Sequence, residues 1–336
     1  MKEAMLYKKL KNKVVNCHVC NHQCLISLNQ RGLCGVRKNQ NGKLYSLVYN
    51  KVVALNLDPI EKKPLFHFLP GTYSLSVAAM GCNFSCLHCQ NYDISQGPKK
   101  NRQILGEETK PKEIVNSALK HQVPSISYTY TEPTVFLEYA LETMKLAKKQ
   151  GLKNIWVSNG YFSPQTIKII TPYLDAINVD LKFFDNELYQ NICGAKLEPI
   201  LNNLKLIKKS KIWLEITTLL IPGYTDKNKQ LEKIVLFIRN ELGKDVPWHI
   251  SAFYSCYKMN DISPTPPELI QQAMEIGRKS GLKYVYAGNL GFDEDTFCPK
   301  CQNRIISRQD YEIKSYLQSR GVCSKCGYKI AGVFTN

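Results

Sequence analysis

Residues 80–91 read MGCNFSCLHCQN and place three cysteines, Cys82, Cys86 and Cys89, in one short segment. The segment follows an apolar stretch, residues 73–80, that is typical of a β-strand. Cysteine thiolates hold iron–sulfur clusters, and a cluster with four irons ordinarily takes four of them. Three closely spaced thiolates would leave one iron open to a chelating ligand. A zinc site that borrows its fourth ligand from elsewhere, or a set of reduced core thiols, is the alternative.

Strand-like runs alternate with helical patterns from residue 73 onward. The predicted strands are residues 73–80, 125–130, 154–159, 176–182, 213–221, 248–254 and 284–289. The predicted helices are residues 111–121, 132–150, 165–173, 197–209, 228–241 and 266–280. This repeat indicates parallel strands joined by right-handed crossovers. We therefore expect an α/β fold, a TIM-type (β/α) barrel or partial barrel, with its chemistry at the carboxyl ends of the strands.

Polar side chains follow the strands that come after the cysteine segment. Glu132 follows the second predicted strand, Ser158 and Asn159 end the third, and Asp180 and Lys182 close the fourth. Asp180 and Lys182 alternate along a strand, so both face the barrel interior, where an ion pair is costly unless it meets a ligand or partner. The sequence therefore predicts one site at this rim.

Two cysteine-rich segments flank the predicted barrel, which gives expected domains at residues 1–71, 72–296 and 297–336. Neither segment has enough apolar content to fold around its own core, so we expect both to be stapled by metal. The C-terminal spacing is typical of a four-thiolate zinc site, with rubredoxin-like iron and then unliganded thiols as the alternatives. Its ligands would be Cys298, Cys301, Cys323 and Cys326.

The N-terminal cysteines are spaced less regularly than the C-terminal ones. They are Cys17, Cys20, Cys24 and Cys34. Four thiolates could hold zinc or a second iron–sulfur cluster that feeds electrons to the first, and His18 and His22 are spare ligands. Cys193 and Cys256 stand apart and are expected to be small buried residues, although Cys193 could face the cavity.

Composition narrows the class of protein and its surroundings. The chain has 336 residues, 13 cysteines and a net charge of +17. Clustered cysteines in an odd number favour metal binding in a reducing cytoplasm over disulfides. The lysines are spread along solvated helix faces, which favours a solvent-exposed role over a nucleic-acid surface. We find no apolar run long enough for a membrane span and no secretory signal, so we expect no membrane partner.

Several segments together resemble one known family. They are GCNFSCLHCQNYDISQ, SYTYTEPTVF, NVDLKFF, CGAKLEPIL, TTLLIPGYTD, PWHISAFY and YVYAGN. This set resembles the radical S-adenosylmethionine superfamily and, within it, the radical enzyme of the AmmeMemoRadiSam system, a branch similar to pyruvate formate-lyase activating enzymes. The resemblance implies a [4Fe-4S] cluster on Cys82, Cys86 and Cys89, with S-adenosylmethionine chelating the fourth iron. It also implies reductive cleavage to a 5′-deoxyadenosyl radical that abstracts hydrogen.

The resemblance also implies roles for single residues in holding S-adenosylmethionine. Glu132 would bind the amino group, and its alternative is a carboxylate at a helix N-terminus. Ser158 and Asn159 would hold the ribose or the methionine carboxylate, although SNG is also a common turn. Asp180 and Lys182 would lie at the ligand, with Lys182 on its carboxylate.

Two histidines and one departure complete the implied site. His88 precedes the third cysteine, where the family usually has an aromatic residue near the adenine. His249 resembles a histidine in the same neighbourhood, and its alternative is a satisfied core residue. Related enzymes place an acid before the third-strand motif to bind a monovalent cation, but this chain has Val157 there, so that cation site is not expected.

The resemblance to activating enzymes predicts a protein or peptide substrate and an electron donor such as ferredoxin or flavodoxin. Radical modification of RNA is an alternative that the positive charge favours. A non-enzymatic iron–sulfur and zinc protein, acting as an electron carrier or scaffold, is the second alternative. Glu132 and Lys182 at the strand ends argue against a carrier, since electron transfer alone does not need them.

Overall fold

The computed structural model of the chain describes residues 1–291, 294–309 and 312–334. Residues 292 and 293 of the predicted barrel and residues 310, 311, 335 and 336 of the predicted C-terminal module lie outside the described residues. The described chain forms one large sheet flanked by helices, with small sheets at both ends. None of the described helices is long and apolar enough to cross a membrane.

The large sheet has eight strands within the described residues. They are β1 (Ala54–Pro59), β2 (Tyr73–Ala78), β3 (Ser125–Tyr128), β4 (Lys153–Ser158), β5 (Ala176–Asp180), β6 (Trp213–Leu220), β7 (Trp248–Ala252) and β8 (Val285–Gly288). Strands β2 to β8 are parallel and lie in chain order, and β1 pairs antiparallel with β2. In the described part of the chain β8 has no further strand partner, so the barrel is open between β8 and β1. The prediction of a partial barrel is confirmed.

Burial explains why these segments are strands. Ser125–Tyr128 is buried along its whole length, and Trp248–Ala252 is buried except at Ser251. Strands covered on both faces read as continuous apolar or small-residue runs rather than as alternating patterns. Because all seven strands from β2 run the same way, their carboxyl ends meet at one rim, which positions the site.

Helices cover the outside of the sheet. They are α1 (Tyr92–Lys100), α2 (Pro111–Lys120), α3 (Leu137–Lys149), α4 (Pro164–Ile170), α5 (Leu197–Lys208), α6 (Asn228–Phe237) and α7 (Pro267–Lys279). Proline occupies the first position of α2, α4 and α7, where its missing N–H costs nothing. Shorter helical turns are Lys11–Lys13, Ile60–Lys62, Pro133–Phe136, Asn186–Leu188, Tyr189–Cys193 and Ile238–Leu242.

Short strands build the two ends of the chain. The N-terminal ones are Lys2–Glu3, Tyr7–Lys9, Val15–Cys17, Leu25–Ile26, Arg37–Gln40, Lys43–Ser46 and Lys51–Val52, the last of which pairs with Glu107–Glu108. The C-terminal ones are Thr296–Phe297, Arg304–Gln309, Glu312–Ser315, Leu317–Gln318 and Val322–Cys323. Strand β1 belongs to the predicted N-terminal segment but pairs with the barrel.

The two ends dock at different places on the barrel. The N-terminal end lies against the loop after β4, where Asn21 N donates to Tyr161 O at 3.0 Å and Ser163 N donates to Val19 O at 3.0 Å. The C-terminal end lies against the connection between β1 and β2, where Val333 N donates to His67 O at 2.7 Å. The N-terminal end therefore lies beside the rim that carries the predicted site.

Candidate functional site

The cysteine loop, residues 79–91, leaves the carboxyl end of β2 and turns at Gly81. Gly81 has φ +101°, and a Cβ atom there would lie 2.6 Å from Val36 Cγ1 and 3.0 Å from the carbonyl oxygen of Cys34. Any other residue would therefore be strained and would clash with the N-terminal segment. Glycine allows the loop to lie directly on that segment.

Neighbouring groups hold the loop from the other side. Ser85 N donates to Cys193 O at 2.8 Å, and Leu87 N donates to Ile192 O at 3.0 Å, both on the helical turn Tyr189–Cys193. Lys99 Nζ, from α1, donates to Phe84 O at 2.5 Å. These bonds fix the loop that carries the free thiols of Cys82, Cys86 and Cys89.

The Glu132 carboxylate joins the carboxyl ends of β3 and β4 by hydrogen bonds. Oε1 accepts hydrogen bonds from Thr134 N at 3.1 Å, Thr134 Oγ1 at 2.5 Å and Ser158 Oγ at 2.9 Å, and Oε2 accepts from Asn159 N at 2.9 Å. Glu132 is buried, and burial raises the pKa of its carboxyl against the opposing effect of these donors. Glu132 thus caps the turn Pro133–Phe136 and positions Ser158 and Asn159 together.

Asn83 joins these strand ends to the cysteine loop. Asn159 Nδ2 donates to Asn83 Oδ1 at 2.8 Å and lies 3.8 Å from Cys82 Sγ. Asn83 was not identified from the sequence. Its position between two cysteines of the motif, in a segment expected to be buried, was a signal that its amide side chain needs a partner. The structure therefore brings Cys82, Asn159 and Glu132 together as the sequence predicted, through a residue that the prediction lacked.

Asp180 and Lys182 form an ion pair at the end of β5, with Lys182 Nζ 2.8 Å from Asp180 Oδ2. Burial acts to lower the pKa of Lys182, but Asp180, Cys86 and Cys193 outweigh it and raise that pKa. Sulfur atoms of Cys86 and Cys193 lie within 4.8 Å of each other and of a ring nitrogen of His88. Lys182 therefore supplies a positive charge beside the second cysteine of the loop.

His88 is buried, and among the described residues neither of its ring nitrogens has a hydrogen-bond partner. Burial, aided by Lys182, lowers the pKa of His88 to about 3, so the ring is neutral. A buried imidazole without partners is costly unless a ligand completes its hydrogen bonds or stacks on it. His88 lies beside Cys89, where the sequence predicted contact with the adenine.

These residues fit a [4Fe-4S] cluster with S-adenosylmethionine. The three loop thiols offer three ligands. In the described structure their sulfurs do not all lie within 4.8 Å of one another, which suits thiolates that bind different irons. Glu132, Lys182 and His88 offer a carboxylate, a cation and a buried ring around them. From the sequence, these three are expected to meet the ammonium, the carboxylate and the adenine of S-adenosylmethionine, respectively.

His249 lies elsewhere. Its Nε2 is 2.6 Å from Glu215 Oε2, and its ring packs on Phe66 and Tyr286. Glu215 also accepts from the N–H groups of Phe66 and His67, in the connection between β1 and β2. The contacts described for His249 thus join it to a buried network near the amino ends of β6, β7 and β8, and not to the cysteine loop, so they lend no support to its predicted ligand role.

The predicted terminal metal sites are assembled in different ways. Cys298 Sγ lies 3.6 Å from Cys326 Sγ, and Cys301 Sγ lies 3.7 Å from Cys323 Sγ. All four sulfurs lie within 4.8 Å of one another. The N-terminal cysteines line a single cavity. Those residues are Cys17, Cys20, Cys24 and Cys34, and their neighbours His22 and Asn83 share the cavity wall.

Comparisons with known proteins agree with this geometry. Residues 77–238 match the model of the Radical SAM superfamily. The chain is 44% identical to an uncharacterized protein of Methanocaldococcus jannaschii, over 98% of this chain and 99% of that protein. It is 24% identical to pyruvate formate-lyase 1-activating enzyme of Escherichia coli K12, over 61% of this chain and 89% of that protein.

A solved structure shares the fold. A radical SAM methyltransferase from Sphaerobacter thermophilus superposes with a TM-score of 0.51 at 12% identity, over 66% of this chain and 67% of that one. The family implies a [4Fe-4S] cluster and S-adenosylmethionine, and the loop of three cysteines lies within the matched residues. The chain therefore belongs to the radical S-adenosylmethionine superfamily.

Proposed function

We propose that this chain is an enzyme that cleaves S-adenosylmethionine reductively and uses the resulting 5′-deoxyadenosyl radical to take hydrogen from a protein or peptide substrate. One observation carries the proposal, namely the hydrogen-bonded path from Glu132 through Asn159 and Asn83 to Cys82. An electron carrier does not need a buried carboxylate held against its cysteine loop. Binding a ligand with an ammonium group does require such a carboxylate.

The chain's own residues would bind and orient S-adenosylmethionine. When bound, the cluster supplies the electron for cleavage. Glu132 Oε2 accepts one described hydrogen bond and keeps a lone pair for the ammonium group. Lys182 would attract the carboxylate, and His88 would face the adenine. Ser158 and Asn159, fixed by Glu132, would hold the ribose or the methionine carboxylate.

The substrate class rests on similarity. Relatives of this chain are named as activating enzymes of pyruvate formate-lyase, which is a protein. We therefore favour a protein or peptide substrate, a place in the AmmeMemoRadiSam branch and a low-potential donor such as ferredoxin or flavodoxin. Thirteen reduced cysteines suit a cytoplasmic setting.

Product analysis tests the proposed reaction. The protein, reconstituted anaerobically with iron and sulfide, is mixed with S-adenosylmethionine and dithionite, and 5′-deoxyadenosine is quantified by mass spectrometry. We expect product from wild type and from Cys256→Ala, a matched removal of a cysteine outside the cysteine loop, and none from Cys86→Ala. A fully loaded wild-type cluster that gives no 5′-deoxyadenosine would refute the proposal.

A second assay separates a protein substrate from RNA. Cell extract is treated with protease in one sample and with ribonuclease in another, and each is added to the reaction. Protease should abolish any acceleration of 5′-deoxyadenosine formation, and ribonuclease should leave it unchanged. The reverse pattern would favour RNA as the substrate.

The C-terminal cysteines are proposed to hold zinc. Zinc–sulfur bonds of about 2.3 Å in a tetrahedron place the sulfurs about 3.8 Å apart. The two sulfur pairs here, at 3.6 and 3.7 Å, agree with that spacing. Four protein ligands close the coordination sphere, so the site would stabilise the C-terminal module rather than bind substrate.

A further inference from the structure

The four N-terminal cysteines surround one cavity beside the cysteine loop. The cavity is otherwise walled mainly by apolar groups, including Val19, Ile26 and Val135. Its four thiols are Cys17, Cys20, Cys24 and Cys34. A largely apolar cavity with four thiols is suited to a metal centre that is coordinated fully by protein.

The spacing of the sulfur atoms separates this centre from a single-ion site. No three of the four N-terminal sulfurs lie within 4.8 Å of one another, in a segment that is described throughout. The C-terminal set, by contrast, is gathered to the distances that one tetrahedral ion requires. The sulfurs of Cys82, Cys86 and Cys89 likewise do not all lie within 4.8 Å of one another. Each thiolate of a cubane binds a different iron, so sulfurs that are not gathered around a single point suit a cluster.

Two residues of the cavity wall have donors that lack partners. Arg37 is buried and pairs with Glu138 through Nη2 at 2.7 Å, but within the described residues its Nε and Nη1 have no hydrogen-bond partner. Asn83 Nδ2 is likewise buried and unpaired among them. Buried donors without partners are costly, and the sulfurs of an anionic cluster would accept hydrogen bonds from them.

The cavity adjoins the candidate active site. Asn83 and Thr134 line it, and Asn83 is the chain neighbour of Cys82, while Thr134 donates to Glu132. His22 Nε2 lies 2.9 Å from Asn83 O. Only one layer of residues therefore separates a centre in this cavity from the cysteine loop.

We infer that Cys17, Cys20, Cys24 and Cys34 hold a second [4Fe-4S] cluster that relays electrons to the first. The relay accepts one electron from a low-potential one-electron donor and passes one on, which leaves the second cluster unchanged over a turnover. With four thiolate ligands it has no open iron for S-adenosylmethionine. The assignment of a second cluster does not depend on the proposed function, whereas the relay role of that cluster does.

Metal and sulfide analysis tests the assignment without any turnover. In the full-length variant Cys82→Ala/Cys86→Ala/Cys89→Ala the first cluster cannot form, so we expect about four irons and four sulfides per chain after reconstitution. The reduced variant should show an EPR signal of a [4Fe-4S] cluster that S-adenosylmethionine does not alter. A variant with no iron–sulfur absorption, and with zinc beyond that at the C-terminal cysteines, would overturn the inference.

The complementary variant tests the relay. Cys20→Ala/Cys24→Ala should lose about half of the iron while the remaining EPR signal still changes on addition of S-adenosylmethionine. Rapid-freeze EPR should show reduction of that cluster by reduced ferredoxin slowed about tenfold or more relative to wild type and to Cys256→Ala. An unchanged reduction rate would refute the relay. If wild type yields no 5′-deoxyadenosine while the triple variant keeps its iron, the proposed function fails and the second cluster stands.

Discussion

Replacing Glu132 by glutamine tests the hub of the site because it removes charge and keeps length. Three donors face Oε1 and one, Asn159 N, faces Oε2. A glutamine that keeps its amide oxygen toward the three donors places its amide NH2 group against the Asn159 N–H. The variant therefore loses a hydrogen bond to a charged group and leaves a buried N–H unpaired.

The cost can be worked out from those contacts. A hydrogen bond to a charged group contributes about 1.5 to 3 kcal/mol, and relief from burying the carboxylate offsets part of the loss. We expect the free energy of unfolding of apo Glu132→Gln to fall by about 2 kcal/mol, measured by urea denaturation. Loss of the contact with the ammonium group, of the same size, should weaken S-adenosylmethionine binding about ten- to a hundredfold in equilibrium dialysis.

Thr134→Val is the matched control. It removes the hydroxyl that donates to Oε1 but keeps the Thr134 N–H donor and the charge of Glu132. It should lower stability by about 1 kcal/mol and leave affinity for S-adenosylmethionine within a few-fold of wild type. Wild-type affinity in folded Glu132→Gln would refute the contact with the ammonium group. Equal weakening in both variants would show that Glu132 acts only by supporting the loop.

Three further predictions follow from other contacts. Lys182→Met should weaken S-adenosylmethionine binding about tenfold and leave iron content unchanged, by dialysis and elemental analysis; unchanged affinity would contradict its role. Burial lowers the pKa of His67 to about 4, so the unfolded chain binds a proton there below pH 6.5 that the folded chain refuses, and stability present above pH 6.5 is lost as pH falls toward 4. His67→Gln should remove about 2 to 3 kcal/mol of the wild-type decline between pH 7 and pH 4.5 in denaturation midpoints, and an equal decline would count against it. Cys326→Ser should lower zinc by about one atom per chain without changing iron, and retained zinc would exclude this ligand.

Local pattern was sufficient to predict most of the fold. Each strand from β2 to β8 overlaps a predicted one, because parallel strands covered on both faces leave long apolar runs in the sequence. Helix α1 was missed because Gly97 and Pro98 interrupt its helical pattern. The helical turn Tyr189–Cys193, which holds the cysteine loop, was missed since its role depends on contacts with residues about a hundred positions away.

The candidate site was predicted only in part, for the same reason. Glu132, Ser158 and Asn159 were predicted to meet because each follows a parallel strand, and strand ends converge whatever the loops do. His249 also lies on a strand, but its environment is set by Glu215 and by Phe66 from the connection before β2. Strand alternation tells which face a residue takes and not what the chain places against that face. The role of Asn83 could not be predicted for the same reason, since it depends on contacts with residues distant in the sequence.

The position of each terminal module relative to the rim indicates what a metal bound there could do. The C-terminal module docks beside His67, and its own Arg308 donates through Nη2 to Phe66 O at 2.7 Å, near the amino ends of β6 to β8. Barrel chemistry occurs at the opposite ends of the strands, so a metal there can stabilise the fold but is badly placed to take part in the reaction. The N-terminal module lies on Gly81 and Asn83, within the rim itself. A redox centre could pass electrons to the cysteine loop only from the N-terminal module, which agrees with the proposed relay cluster there and with the proposed structural zinc at the C-terminal cysteines.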